Sequence, residues 1–442
     1  MSLKTCLILL TIVSVIADTM LLPFYPQFFQ QAFNQSSPEH VGYYIAACCF
    51  TVMCAFPLWA KVAKHINELH LWVYTQIIAG ALGIACYFST SLVEFWLLSQ
   101  TMLVFKASYL LIYPFVMRLE DKDKHLGMVG LFSVLMHFGG ITGALLGGVV
   151  LQYFDPRDIY LIMAASDGLQ VLVCLYLITR FTIAFKPEAS LHNEDQSAKI
   201  ALKRAEDEDE GYELEDSNLD NIKLFIFKLG LVTALFYFSA FLIRPFFTLY
   251  WQSISTIEVL GSDLVTGLVY SLPGWVAVIG LWLNSRYQKN SVEKKSFQED
   301  DSQILKDAEH SSDTQSSSFQ FLINAMLLGT LGLLIQGSEQ AWMIILGRCV
   351  FGWAMFQATV RLEVLLFEIS TPDRYATDFS KMHFMQNLGV ITASFCVGSI
   401  VTHGSYSWTF YLASIGFIFT LALFYFSFKP KNELKDQYVS VR

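Results

Sequence analysis

Hydrophobic and polar positions alternate along this chain in long blocks. Twelve apolar stretches lie at roughly residues 4–30, 40–63, 70–90, 93–118, 126–152, 158–183, 223–251, 263–285, 319–337, 341–369, 378–402 and 405–428. Each is close to or beyond the roughly 20 residues with which a helix crosses a bilayer. The pattern predicts an all-α polytopic membrane protein of twelve transmembrane helices. Most polar interruptions are short, and two are long. Residues 184–222 include the run Glu206-Asp207-Glu208-Asp209-Glu210, and residues 286–318 are rich in Ser, Gln, Asp, Glu and Lys. Neither carries an apolar period, so both are expected to be solvated and largely disordered. They divide the chain into an N-terminal six-helix half (1–183), an acidic linker (184–222), a C-terminal six-helix half with an inserted loop (223–428, insert 286–318) and a tail (429–442).

The two halves repeat one another. Pro23-Phe24 matches Pro245-Phe246, Gln30 matches Gln252, and Gly42 matches Gly267. Lys61 aligns with Arg286, Gly80 and Gly83 with Gly329 and Gly332, Gln100 with Arg348, and Glu120 with Glu368. Gly139-Gly140-Ile141-Thr142-Gly143 aligns with Gly389-Val390-Ile391-Thr392-Ala393, and Tyr160-Leu161 with Tyr411-Leu412. Matches that keep their order along two chains of apolar helices point to two pseudo-symmetric halves. Within this frame Asp18 stands opposite Ala240, and Leu22 opposite Arg244. A charge inside a membrane helix is costly and normally faces the protein interior or a wet cavity, so the mismatched charges mark where function is expected.

Composition agrees: 54% of the 442 residues are hydrophobic and 15% aromatic, with a mean hydropathy of +0.46. The net charge of −9 reflects the acidic linker and says little about partners. No basic, aromatic-interleaved patch suggests nucleic acid. The eight cysteines lie in apolar segments without metal-ligand spacing and read as small core residues. Lys4 precedes an apolar run, but Asp18 interrupts it and no small-residue cleavage site follows, which predicts a retained first helix. One set of loops carries Lys61, Lys64, Arg118, Lys122, Lys124, Lys203, Arg286, Lys289, Arg374 and Lys429, whereas the opposite set carries Arg157. By the positive-inside rule both termini are cytoplasmic.

The run Gly139-x-x-x-Gly143-Ala144-x-x-Gly147-Gly148 in the fifth stretch resembles the glycine-rich fifth-helix signature of the major facilitator superfamily, with Ala144 where that family has Pro. Glycines at this spacing let helices approach closely. The resemblance covers essentially the whole chain, since parallel six-helix repeats are that family's internal symmetry. It implies a secondary transporter in which the first, fourth, seventh and tenth helices line a central cavity and the glycine run acts in packing or gating. The family's motif between helices two and three would fall on Pro57 to His65, where its Gly, Asp and Arg are missing, so its gating ion pairs are not expected here.

On those cavity helices the fourth stretch puts Lys106, Tyr109 and Tyr113 on one helical face, and the tenth puts Ala354, Gln357 and Arg361 at the corresponding positions. With Arg244 they form a candidate site for an anionic group, because Lys and Arg match carboxylates and phosphates. The competing reading pairs these cations with Asp18, Glu94, Asp167 or Glu363. Asp18 is the candidate proton-coupling residue, since a carboxyl group held away from water can cycle its proton at ordinary pH; an Asp18–Lys106 pair is the alternative. His137 is a weaker candidate for a proton relay. Tyr25, Tyr250 and Trp251 read as interfacial aromatics. No phosphate-binding loop of the Gly-x-x-x-x-Gly-Lys-Ser/Thr type is present, and no metal or nucleophile constellation suggests an enzyme or a cofactor. The expectation is a monomeric, proton-coupled transporter of a small polar anionic or zwitterionic solute (carboxylate metabolite, amino acid or siderophore). It would reside in a plasma membrane, with a bacterial inner membrane as the expected one. A proton-driven exporter of drugs or toxic compounds, and a non-transporting receptor or scaffold, remain the alternatives.

Overall fold

The computed structural model describes residues 3–112, 115–116, 125–185, 213–296, 303–370 and 375–428. Every regular element among them is helical. Eleven of the described helices are long and apolar enough to cross a membrane. The twelfth expected crossing, the fourth, is interrupted: its α-helix runs only from Leu92 to Lys106 and continues as a 3-10 turn over Ala107–Leu111. The indole of Trp59 donates to the Val104 carbonyl at 2.6 Å, taking the acceptor that the next α-helical turn would use. In the tighter winding, residues three apart eclipse one another, so Lys106 and Tyr109 still share a face. Tyr113 lies outside the described residues.

The repeated Pro-Phe frame breaks the first span of each half at matching places. The first span runs as Leu3–Thr19, a 3-10 turn Leu22–Phe24, and a short helix Tyr25–Phe33. The seventh runs as Glu213–Phe241 and resumes at Phe247–Ile254. Pro23 and Pro245 lack the N–H that a continuous helix needs, and each disfavours α geometry in the residue before it. The remaining spans are Pro38–Val62, Glu68–Phe88, His125–Tyr153, Asp158–Phe181, Asp263–Ser296, Gln303–Gln336, Ala341–Ile369, Tyr375–His403 and Tyr406–Phe428. Helical backbone thus extends into both segments whose composition suggested disorder, over 213–222, 286–296 and 303–318. Glu, Lys and Gln are good helix formers, and elongating an existing helix avoids the cost of nucleation.

Glycines allow the halves to meet, and the meeting is symmetric. A Cβ at Gly42 of the second span would strike the Ser394 carbonyl of the eleventh, and one at Gly267 of the eighth would strike the Ala144 carbonyl of the fifth. A Cβ at Gly398 would likewise strike Glu39, and one at Gly148 would strike Asp263. These contacts lie toward the end carrying the short helices Tyr25–Phe33 and Phe247–Ile254, called here the short-loop end. Polar contacts add to the closure: Thr248 Oγ1 donates to the Pro23 carbonyl (2.8 Å), Gln27 Nε2 to Gln252 Oε1 (3.2 Å), and Gln252 Nε2 to Asp263 Oδ1 (2.7 Å).

The aromatics of this end differ from expectation. Tyr250 and Trp251 are 2% and 1% exposed, with Tyr250 Oη donating to the Gln336 carbonyl and Trp251 Nε1 to the Leu260 carbonyl. They are core residues and not an interfacial belt, because the short helix Phe247–Ile254 packs against the eighth and twelfth spans. Arg157, the basic exception at this end, donates to the Ala32 carbonyl at 2.8 Å, where the C-terminal end of a short helix favours a cation.

Candidate functional site

Three spans of the N-terminal half bring one lysine and two aspartates together inside the bundle. Lys106 Nζ lies 2.7 Å from Asp18 Oδ1 of the first span and 2.9 Å from Asp167 Oδ1 of the sixth. The sequence offered Asp18 and Asp167 as alternative partners, and Lys106 holds both. Asp167 is also reached from the third span: with its amide nitrogen turned toward the carboxylate, Gln76 donates to Asp167 Oδ1 at 3.1 Å and accepts from Trp72 Nε1 at 2.8 Å. Among the described residues, Asp167 Oδ2 is buried without a hydrogen-bond partner. Ser14 Oγ approaches Asp18 Oδ2 at 3.5 Å, one helical turn away.

The two carboxylates are not equivalent. The Asp18 side chain is 19% exposed and that of Asp167 only 1%. Asp18 lines a cavity of about 150 Å³ together with Lys106, Tyr109, Tyr25, Tyr44 and Tyr160, closed on other sides by apolar residues such as Met102. That volume is below the roughly 300–1,000 Å³ of a complete small-molecule pocket, so it fits one end of a solute. The chamber offers one cation shared between two carboxylates, and tyrosine side chains that can donate or accept.

The glycine run positions this site. A Cβ at Gly139 would meet Val15, one at Gly143 would meet Thr19 and the Ile16 carbonyl, and one at Gly147 would meet the Met20 carbonyl. Thr19 Oγ1 also approaches the Gly139 carbonyl at 3.2 Å. The fifth span is therefore pressed against the turn that carries Asp18, while Gly148 faces the eighth span.

The cations of the C-terminal half are held differently. Arg244 sits in the break of the seventh span, exposed, with its guanidinium 4.7 Å from the Phe241 ring centroid. It lies within electrostatic reach of His137, Tyr237 and Arg348. Arg348 is 3% exposed, donates to the Tyr270 carbonyl, and stacks 4.0 Å from the Phe247 ring centroid. Among the described residues neither arginine has a carboxylate within 4.0 Å. Gln357 is half-buried on the tenth span. Arg361 lies over the Phe321 ring of the ninth span at 4.4 Å and does not line the Lys106 cavity. Sequence reasoning did not single out Gln76 or Tyr44, and it named Tyr160 as a repeat match and not as part of the site. Their signal was weak, because one amide and two tyrosines in apolar helices resemble many others.

The sequence matches the family model described as Major Facilitator Superfamily over residues 7–295. No curated protein matches it in sequence. Solved structures of similar fold include a mutant of the nucleoside transporter NupG, at TM-score 0.68 and 12% identity, covering 97% of this chain and 100% of that one. A POT family transporter in complex with 5-aminolevulinic acid superposes at TM-score 0.69 and 11% identity, covering 96% of each chain. The POT family transporter PepTSo does so at 0.70 and 10%, covering 96% of this chain and 97% of that one.

Proposed function

The chain belongs to the Major Facilitator Superfamily, and from that premise we propose that it moves a small polar organic solute, anionic or zwitterionic, in step with protons. The observation that carries this reading is the Lys106 cluster at the cavity wall. Two carboxylates and one ammonium leave the site one negative charge in excess. A proton arriving at Asp18 removes that excess. Burying an uncompensated charge is costly, so protonation favours closing the cavity over this site.

The solute's anionic group has a separate partner across the halves. Arg244 is exposed and has no described carboxylate partner, whereas Lys106 is already shared by two. Arg244 is therefore the primary anchor, and Tyr109 and the other cavity tyrosines supply hydrogen bonds to the polar remainder. A proton in one half and an anion in the other would together neutralise the walls that close on one another. The short helices at Pro23 and Pro245 then form the outer gate, in keeping with basic loops at the opposite end. Cysteine labelling at Ser36 from outside, with none at Ala201, is the expected orientation; labelling of both from one side would reverse or refute it.

The test uses purified protein in liposomes loaded with a pH-sensitive dye. Carboxylates, amino acids and metal-chelating siderophores are first screened by thermal shift, and each binder is then added outside. A solute-dependent proton movement that disappears in Asp18→Asn, while exchange of the same labelled solute persists, is expected. Solute exchange without any proton movement in the wild type would overturn the coupling.

A further inference from the structure

Asp167 is the member of the cluster that the transport reading counts in the charge but assigns to neither proton nor solute. It is buried almost completely, yet half of its carboxylate has no hydrogen-bond partner among the described residues. The opposite half of the molecule shows that helix packing does not require it. Gly80 of the third span meets Asp167, and its repeat partner Gly329 of the ninth meets Phe417 of the twelfth. Lys106 corresponds to Ala354, and Asp18 to Ala240. Gln76, four residues before Gly80, corresponds to Ala325, four before Gly329. The C-terminal half thus builds the same helix crossings with alanine and phenylalanine, all buried. The polar set in the N-terminal half has a purpose other than architecture.

Geometry indicates what that purpose is. Lys106 Nζ is within 0.2 Å of equidistant from the two carboxylates (2.7 and 2.9 Å), and a lysine ammonium on a four-carbon stem redirects its donors with small torsional changes. Asp18 faces the cavity and Asp167 faces the protein, where Gln76 supports it. We propose that Asp167 is the reserve seat of the Lys106 charge: when a proton from the cavity binds Asp18, Lys106 stays ionised and settles on Asp167. Asp167 is then a positioning residue that lets Asp18 accept a proton without stranding a buried cation. No covalent bond of Lys106 breaks; the proton adds to an Asp18 oxygen, the Lys106–Asp18 ion pair gives way to the Lys106–Asp167 one, and the cluster passes from one negative charge to none. The inference rests on the proton-coupling reading of Asp18.

The other titratable groups around the cluster are Tyr109 of the fourth span and Tyr25, Tyr44 and Tyr160 lining the cavity, with Cys48 and Cys49 of the second span within electrostatic reach of Tyr25. His137 of the fifth span lies within electrostatic reach of Arg244. Asp167 is the remaining carboxylate in contact with Lys106 among the described residues, so the substitution that tests the idea is specific.

The experiment needs no identified solute. Dicyclohexylcarbodiimide reacts with protonated carboxyl groups and leaves a stable adduct, read at Asp18 by peptide mass spectrometry on the intact protein in detergent. At one neutral pH, Asp167→Asn should lower Asp18 labelling by about tenfold, because Lys106 then has Asp18 as its sole carboxylate and an adjacent cation favours the ionised form. Asp167→Glu should restore it, and Lys106→Gln should raise it. Gln76→Leu keeps the carboxylate but removes its amide donor, and should shift labelling in the same direction as Asp167→Asn by a smaller factor; it decides the matter should Asp167→Asn fail to fold. Unchanged Asp18 labelling in a folded Asp167→Asn or Gln76→Leu protein would overturn the reserve-seat role while leaving coupling by Asp18 standing. Absence of labelling at Asp18 in the wild type from acid to alkaline pH would instead overturn the coupling reading, and this inference with it.

Discussion

Gln27 and Gln252 join the two halves through an amide–amide hydrogen bond of 3.2 Å, each lying in the short helix that follows a broken first span. The bond is extended by Thr248 on one side and Asp263 on the other. It spans the pseudo-symmetry between the halves at the short-loop end. The proposed transport cycle requires these residues to part. Cysteines at both positions, joined by a short bifunctional thiosulfonate, should abolish solute-dependent proton flux in liposomes, and reductant should restore it. Normal flux in the cross-linked protein would mean that this seam does not open.

The double pairing of Lys106 ranks the stabilities of three variants. Asp18→Asn leaves Lys106 on Asp167 and should melt close to the wild type. Lys106→Gln leaves two carboxylates facing one another inside the bundle and should cost about 3–5 kcal/mol, the scale for breaking a buried pair. Adding Asp18→Asn to Lys106→Gln removes one of those charges and should recover part of the loss. The check is the melting temperature of each protein in one detergent. An Asp18→Asn protein as unstable as Lys106→Gln would show that Asp167 does not hold the charge alone.

Arg244 is exposed in a helix break, with stacking on Phe241 as its described contact. Arg244→Gln should therefore fold normally and lose affinity for an anionic solute by about ten- to a hundredfold, the scale of one charge-assisted hydrogen bond at roughly 1.5–3 kcal/mol. Binding is measured by calorimetry with the solute found by thermal shift. Unchanged affinity would remove Arg244 from the site.

Gly147 and Gly140 lie seven residues apart on the fifth span and differ in surroundings. A Cβ at Gly147 would overlap the Met20 carbonyl, whereas one at Gly140 would meet nothing within 4 Å. Gly147→Ala should cost about 1–3 kcal/mol, as overpacking does, and should disturb Asp18 two residues before Met20. Gly140→Ala should be neutral. Equal melting temperatures for the two variants would show that the first span is free to shift.

Much of the architecture follows from local rules that a sequence states directly. Membrane crossings need long apolar runs, so the span pattern from the first stretch to 405–428 was legible, as was the repeat that matches Pro23 with Pro245, whereas the breaks at these prolines fall inside stretches that hydropathy reads as continuous. The glycine run announced a close approach, because a missing side chain has that consequence wherever it stands. The charge mismatches at Asp18 and Arg244 were visible once the halves were aligned. Other features depended on partners distant in the chain. The fourth span changes winding at Lys106 where Trp59 takes the Val104 carbonyl, 45 residues away, and a hydropathy pattern contains no such term. Tyr250 and Trp251 look interfacial in composition but are buried where the short helix Phe247–Ile254 packs against the eighth and twelfth spans. Above all, the sequence could offer Asp18 and Asp167 only as rival partners for Lys106. That one ammonium meets both, with Gln76 behind the second, follows from how the first, third, fourth and sixth spans converge, because Coulombic pairing depends on distance in space and is blind to separation along the chain.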